Sequence, residues 1–234
     1  MRWRVSMFGR GPLTTEQPSG QQPLSPLRDF RLLLMLFIGL RLSLLVGFDL
    51  SGLIAYGDFT NYYRVAEITR VTGRLPFIGY WVEYPPLFGW ANFGLYQLLI
   101  TWGGSSEHAY YYALSLLVLL ADAGNLWLMH RIGGRLYGPE RGLDIAWVYA
   151  LLGVPSVLMM WDIEPVIAFF MLLGLWWLLE GQDIRSALAI ATGALIKVTP
   201  GLLLPVVWRF RPLKRSLVYT ALLPDWASGP TCPS

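Results

Sequence analysis

The sequence predicts an all-α protein, a polytopic transmembrane helical bundle, and three observations lead there. Hydrophobic residues make up 55% of the 234 residues and charged residues only 14%. A soluble domain carries roughly 25% charged residues, so there is too little polar surface here to coat a water-facing globule. The apolar residues also come in long runs, as lipid-facing helices require. Finally, 11 Trp and 12 Tyr suit a chain that meets two membrane–water interfaces, where amphipathic rings settle.

Residues 1–29 form a leader, polar and basic at Arg2, Arg4, Arg10 and Arg28. They predict a disordered cytoplasmic segment with no cleavable signal peptide. The apolar run 30–48 is close to the ~20 residues that a bilayer needs. Basic residues precede it, so it predicts an uncleaved signal-anchor with its N-terminus inside. An outer loop, 49–108, follows. Its first part, 49–84, is polar and aromatic and holds Asp58, Arg64, Glu67, Arg70, Arg74 and Glu83. Residues 60–72 have a helical pattern that Gly73-Arg74-Leu75-Pro76 would end.

Residues 85–102 are apolar enough to span, but charge parity argues otherwise. If both this run and 109–129 crossed, the loop with His130, Arg131, Arg135 and Arg141 would lie outside. If only 109–129 crosses, that loop lies inside, as the positive-inside rule asks. The run 85–102 is therefore expected to lie in, or dip into, the outer interface. Residues 144–161 cross outward, Asp162-Ile163-Glu164-Pro165 makes a very short outer turn, and 166–179 returns. The run 186–208 has both ends inside by its charges and is interrupted at Lys197-Val198-Thr199-Pro200. It predicts two short helices meeting there, and a broken helix at membrane depth is tolerated where it lines a cavity or is buried in protein. The transmembrane core thus covers 30–215. Residues 216–234 begin a span that stops too early and end in a polar tail, which is expected of a truncated chain.

The net charge is +3, and the basic residues sit at the ends of apolar runs. No basic face or stacking motif suggests nucleic acid. Cys232 is alone, so no disulfide or Cys-based metal site forms within the chain. His108 and His130 are isolated. Residues 193–199 lack the second glycine of a phosphate-binding loop.

The informative residues are charges that resist burial, since each costs on the order of 2.5–3.5 kcal/mol at membrane depth. Asp58 precedes a helical run and reads as an N-cap, a site carboxylate, or both. Glu83 precedes Pro85-Pro86 and is either a solvated interface carboxylate or part of a site. Asp162 and Glu164 suit the N-terminus of the returning helix, and they also face whatever cavity the long first loop covers. Lys197, beside the helix break, either snorkels or presents its charge to an anionic ligand such as a lipid phosphate. Arg41 has the same two readings. Asp122 and Asn125 share one helix face at i, i+3 and predict an interhelical polar contact.

These residues, in this order, resemble the GT-C superfamily of membrane glycosyltransferases. The features that carry the resemblance are an acidic residue just after the first span, a long outer loop, and Tyr84-Pro85-Pro86-Leu87 entering an interfacial helix. Trp161-Asp162 then opens a second outer turn. The stretch Gly193-Ala194-Leu195-Ile196-Lys197-Val198-Thr199-Pro200 is similar to one in polyprenyl-phosphate-mannose-dependent mannosyltransferases. The match covers roughly residues 30–215, and the order of short motifs carries it.

The resemblance implies a GT-C-type bundle. It implies transfer of a sugar, mannose above others, from a polyprenyl-phosphate donor to a lipid, glycan or protein acceptor on the extracytoplasmic face. Asp58 matches the family's first-loop acid, which acts as general base or, in metal-dependent branches, helps hold a metal. A divalent metal is thus left open, and no other cofactor is implied. Asp162 matches the second-loop acid. Glu83, Glu164, Lys197 and Arg41 are expected on the substrate side. Two other classes remain. A transporter or flippase for a lipid-linked anion also explains a broken helix, a buried lysine and outer carboxylates, but it predicts inverted repeats that the sequence does not display. A non-catalytic scaffold would leave Asp58, Asp162 and Lys197 on separate faces.

Overall fold

A computed structural model describes residues 26–47, 57–103, 106–152 and 162–222. The leader before residue 26, the outer half of the 144–161 run and the tail after residue 222 lie outside the described residues. Regular structure among the described residues is helical, apart from an isolated bridge between Pro76 and Tyr80. The all-α expectation holds.

The helices are α1 (Phe30–Gly47), α2 (Phe59–Thr72), α3 (Pro86–Thr101), α4 (Glu107–Tyr137), α5 (Pro139–Leu151), α6 (Glu164–Leu179), α7 (Asp183–Ile196), α8 (Leu204–Phe210) and α9 (Leu213–Leu222). Two of them, α1 and α4, are long and apolar enough to cross a membrane. Helix α4 is the axis. Helices α1, α5 and α6 pack along it, α7 packs on α6, and α9 packs on α7. Helices α2 and α3 pair with each other and meet the N-terminal half of α4. At a rise of 1.5 Å per residue, α4 with 31 residues is ~46 Å long and α6 with 16 residues is ~24 Å. The beginning of α6 therefore docks midway along α4, where Asn125 reaches the Pro165 carbonyl at 2.8 Å.

Local chemistry explains the boundaries. Helix α2 ends at Gly73, whose φ of 69° is left-handed and whose N–H returns to the Thr69 carbonyl at 2.9 Å. That geometry suits glycine, which has no Cβ to clash. The break after α7 falls where expected. Pro200 lacks an N–H and would crowd the carbonyl four residues back. The helix accordingly stops at Ile196, Lys197 is extended (φ −154°, ψ 142°), and a 3₁₀ turn, Thr199–Leu203, leads into α8.

The connection between α4 and α5 differs from expectation. Residues 130–137 were expected to be a basic loop, but α4 continues through them to Tyr137 and turns at Gly138, φ 96°. Charge marks which side of a membrane a segment favours, and it does not mark where a helix ends. The turn is tight because glycines let α4 and α5 touch. A Cβ at Gly142 would lie 2.5 Å from the Gly134 nitrogen and from the His130 carbonyl oxygen. Gly142→Ala is expected to force the two backbones apart at a cost of about 1–3 kcal/mol. Thermal unfolding in detergent should move accordingly, and an unchanged midpoint would contradict the close approach.

Candidate functional site

Six helices converge on one apolar and aromatic core, to which α1 contributes Leu45. Phe59 and Tyr62 come from α2, Phe88 and Tyr96 from α3, Tyr110, Tyr111 and Leu114 from α4, Ile167 from α6 and Ile196 from α7. This core fixes the polar groups at its edge. Tyr62 is 2% exposed, and its ring meets Phe88 and Tyr84 edge-on. Its backbone carbonyl accepts from Asn92 Nδ2 at 2.8 Å, and Asn92 Oδ1 accepts from the Tyr110 hydroxyl. Helices α2, α3 and α4 are thereby locked in register by buried, satisfied polar groups, which rigidify where an unsatisfied group would destabilise.

Asp58 does not cap α2 with its side chain; its carbonyl accepts the Tyr62 N–H at 2.9 Å instead. The freed carboxylate turns toward two tyrosines. The Tyr84 hydroxyl donates to Asp58 Oδ2 at 3.1 Å. The Tyr62 hydroxyl lies 3.4 Å from Asp58 Oδ2, 3.3 Å from the Tyr84 hydroxyl and 3.1 Å from Asp162 Oδ1. A phenol has one proton to give, so Tyr62 serves one of these at a time. Asp162 also accepts the Ile163 N–H at 2.6 Å. Glu164, at the start of α6, pairs with Lys197, at the end of α7. Both side chains keep more than a third of their exposure, and both lie near enough to act on the Asp162 charge.

The cluster is therefore Asp58, Tyr62, Tyr84, Asp162, Glu164 and Lys197, drawn from segments more than 100 residues apart. Burial pushes the Asp162 carboxyl above the usual carboxylate range, against the pull of the Ile163 N–H. Burial also raises Tyr62 and Tyr84, so both phenols stay protonated. Among the described residues no three His, Cys, Asp or Glu side chains converge as metal ligands.

Two expected residues stand apart. Glu83 is exposed on the loop, and its carboxylate is not part of this network. Arg41 is fully buried between α1, α4 and α5. It donates from Nε to Asp122 Oδ2 at 3.0 Å, and its guanidinium lies 3.4 Å from the Phe37 ring centroid. Tyr149 of α5 donates to the other Asp122 oxygen. The polar contact expected of Asp122 and Asn125 is thus made in two directions, to α1 and α5 by one and to α6 by the other. Sequence reasoning missed Tyr62 and Tyr84. A signal was present for Tyr62, which stands four residues after Asp58 and so on the same helix face.

No protein-family model, no curated protein and no solved structure matches this chain.

Proposed function

We propose that the chain is a membrane glycosyltransferase of GT-C type. It crosses the membrane several times, keeps its N-terminus in the cytoplasm and works on the extracytoplasmic face. It moves a sugar, mannose foremost, from a polyprenyl-phosphate donor to a lipid, glycan or protein acceptor. The observation that carries this reading is the gathering of Asp58 and Asp162 around one tyrosine hydroxyl, beside Lys197. A scaffold gives no reason for three such charges to meet. The order of motifs along residues 30–215 supports the same reading.

The chemistry follows from the groups. A sugar hydroxyl is a poor nucleophile, and a positioned carboxylate takes its proton as the new bond forms. Asp58 is that base, and the Tyr84 hydroxyl orients it. Attack opposite the leaving phosphate inverts the anomeric centre, by the geometry of single displacement. The departing phosphate needs positive charge, and Lys197 supplies it by exchanging its Glu164 partner for the phosphate. Arg41, enclosed against Asp122, has no open face for a ligand.

Lys197→Gln should lower sugar transfer by about 10²–10³-fold, the usual loss for one donor to a developing anion. The double variant Lys197→Gln with Glu164→Gln, which leaves no unpaired carboxylate, should be equally slow. Recovery in the double variant would assign Lys197 a structural role only. The reading as a whole is tested with membranes containing the full chain and a panel of radiolabelled polyprenyl-phosphate sugars. Transfer from one donor establishes the class. Absence of transfer from every donor, in well-inserted protein, would favour a carrier of lipid-linked anions, for which the broken helix at Lys197 would be the feature in common.

A further inference from the structure

We infer that Tyr62 is a proton bridge that carries the proton taken up by Asp58 across to Asp162, on the side of the cluster where Glu164 and Lys197 stand. The inference rests on the glycosyl-transfer reading for the direction of the proton, while the bridge itself rests on geometry. Among the described residues, the Tyr62 hydroxyl is the one group hydrogen-bonded to both carboxylates. Its ring is fixed by Phe88 and Tyr84, and its backbone by Asn92, so only the hydroxyl proton is free to rotate.

The step balances without an added reagent. The acceptor O–H bond breaks, and its electron pair forms the new bond to the anomeric carbon. The carbon–phosphate-oxygen bond breaks, and its pair leaves with the phosphate. Asp58 has gained the proton. Asp58 then gives a proton to the Tyr62 oxygen as the Tyr62 hydroxyl proton passes to Asp162 Oδ1. Tyr62 stays neutral, Asp58 is again a carboxylate, and Asp162 is the protonated acid. The net reaction releases one proton, and Asp162 beside Lys197 stands where that proton can pass to the released phosphate or to water. Burial of Asp162, which favours its neutral form, suits a proton-receiving end.

Asp58 faces Tyr62 from the start of α2, Tyr84 from the loop before α3 and Asp162 from the start of α6. Glu164 of α6 and Lys197 after α7 act on Asp162. Helix α3 contributes the neutral Phe88 and Asn92, and α4 contributes Tyr110 through Asn92.

The test has two arms. The first uses membranes with the full chain and radiolabelled mannose on polyprenyl phosphate. Tyr62→Phe keeps the ring and removes the hydroxyl. Its maximal rate should fall about 100-fold with the KM for donor unchanged, and imidazole in the buffer should restore part of it by removing the proton from Asp58. A wild-type rate, or a loss that imidazole does not touch, would overturn the bridge. If Tyr62→Phe does not accumulate, a fluorotyrosine incorporated in place of Tyr62 keeps both ring and hydroxyl. Its more acidic hydroxyl should shift the pH–rate profile, and an unmoved profile would overturn the inference.

The second arm needs no turnover. Infrared titration of protein with ¹³C-labelled aspartate follows protonation of Asp162 directly. Asp58→Asn should lower the Asp162 midpoint, because a neutral amide competes for the Tyr62 proton less well than a carboxylate does. In a Tyr62→Phe background that shift should shrink to less than half. An undiminished shift would overturn the bridge even in an active transferase. A lost shift in a protein that transfers no sugar would keep the bridge and reject the transferase reading.

Discussion

Asp58→Asn is expected to reduce sugar transfer by about 10²–10⁴-fold, the range that one general base contributes, while expression and membrane insertion stay normal. The substitution is nearly isosteric. The amide oxygen still accepts from the Tyr84 hydroxyl, so the local hydrogen bonding that holds the loop before α3 survives. An amide takes no proton from the acceptor, and the loss should therefore appear in turnover and not in donor affinity. Asp58→Glu should recover part of the rate, because it keeps the base and only displaces it. Radiolabel transfer at saturating donor measures both. Full activity in Asp58→Asn would remove the base from this residue, and an equal fall in Asp58→Glu and Asp58→Asn with a raised KM would assign it to binding.

The second large effect is on stability. Arg41 and Asp122 are both fully buried, and they join α1 to α4. Removing one partner strands the other charge, so Asp122→Leu alone is expected to destabilise the protein by about 3–5 kcal/mol. Arg41→Met with Asp122→Leu should cost far less, since apolar replacement of a complete buried pair is often neutral. One observation favours that outcome. The Arg41 Nη1 and Nη2 atoms are buried without a hydrogen-bond partner, so the pair is incompletely satisfied. Tyr149 also donates to Asp122, so adding Tyr149→Phe should complete the recovery. Unfolding by denaturant in mixed micelles would give the cycle. Additive losses in the double variant would mean that the charges do not form a coupled unit.

Much of this was legible along the chain because it depends on neighbouring residues. Gly73 ends α2, Pro200 breaks the helix at Lys197, and Pro165 sits in the first turn of α6. Each is a matter of backbone sterics within a few positions. The partnership of Glu164 with Lys197 was not legible, since 33 positions separate them and only the packing of α6 on α7 joins them. Tyr62 and Tyr84 were hidden by abundance, because tyrosine is common wherever a protein meets a membrane interface. Arg41 was misplaced for a different reason. A lone arginine in an apolar run looks unpartnered until α4 is seen to bring Asp122 beside it. The charges of residues 130–137 suggested a loop and hid about two further turns of α4.

On the proposed multi-span reading, the unequal lengths of α4 and α6 have a consequence for the surrounding lipid. A hydrocarbon core is ~30 Å thick, so α6 at ~24 Å is too short for it and α4 at ~46 Å is too long. A helix shorter than the core is met by local thinning of the bilayer and a longer one by tilt, at fractions of a kcal/mol per Å. Thinning beside α6 would draw lipid headgroups down to Asp162 and Glu164, at the head of that helix. A phosphate carried on a lipid would then reach the carboxylates without leaving its own leaflet. The protein should accordingly work best in short-chain bilayers, with acyl-chain length acting as a control on the site.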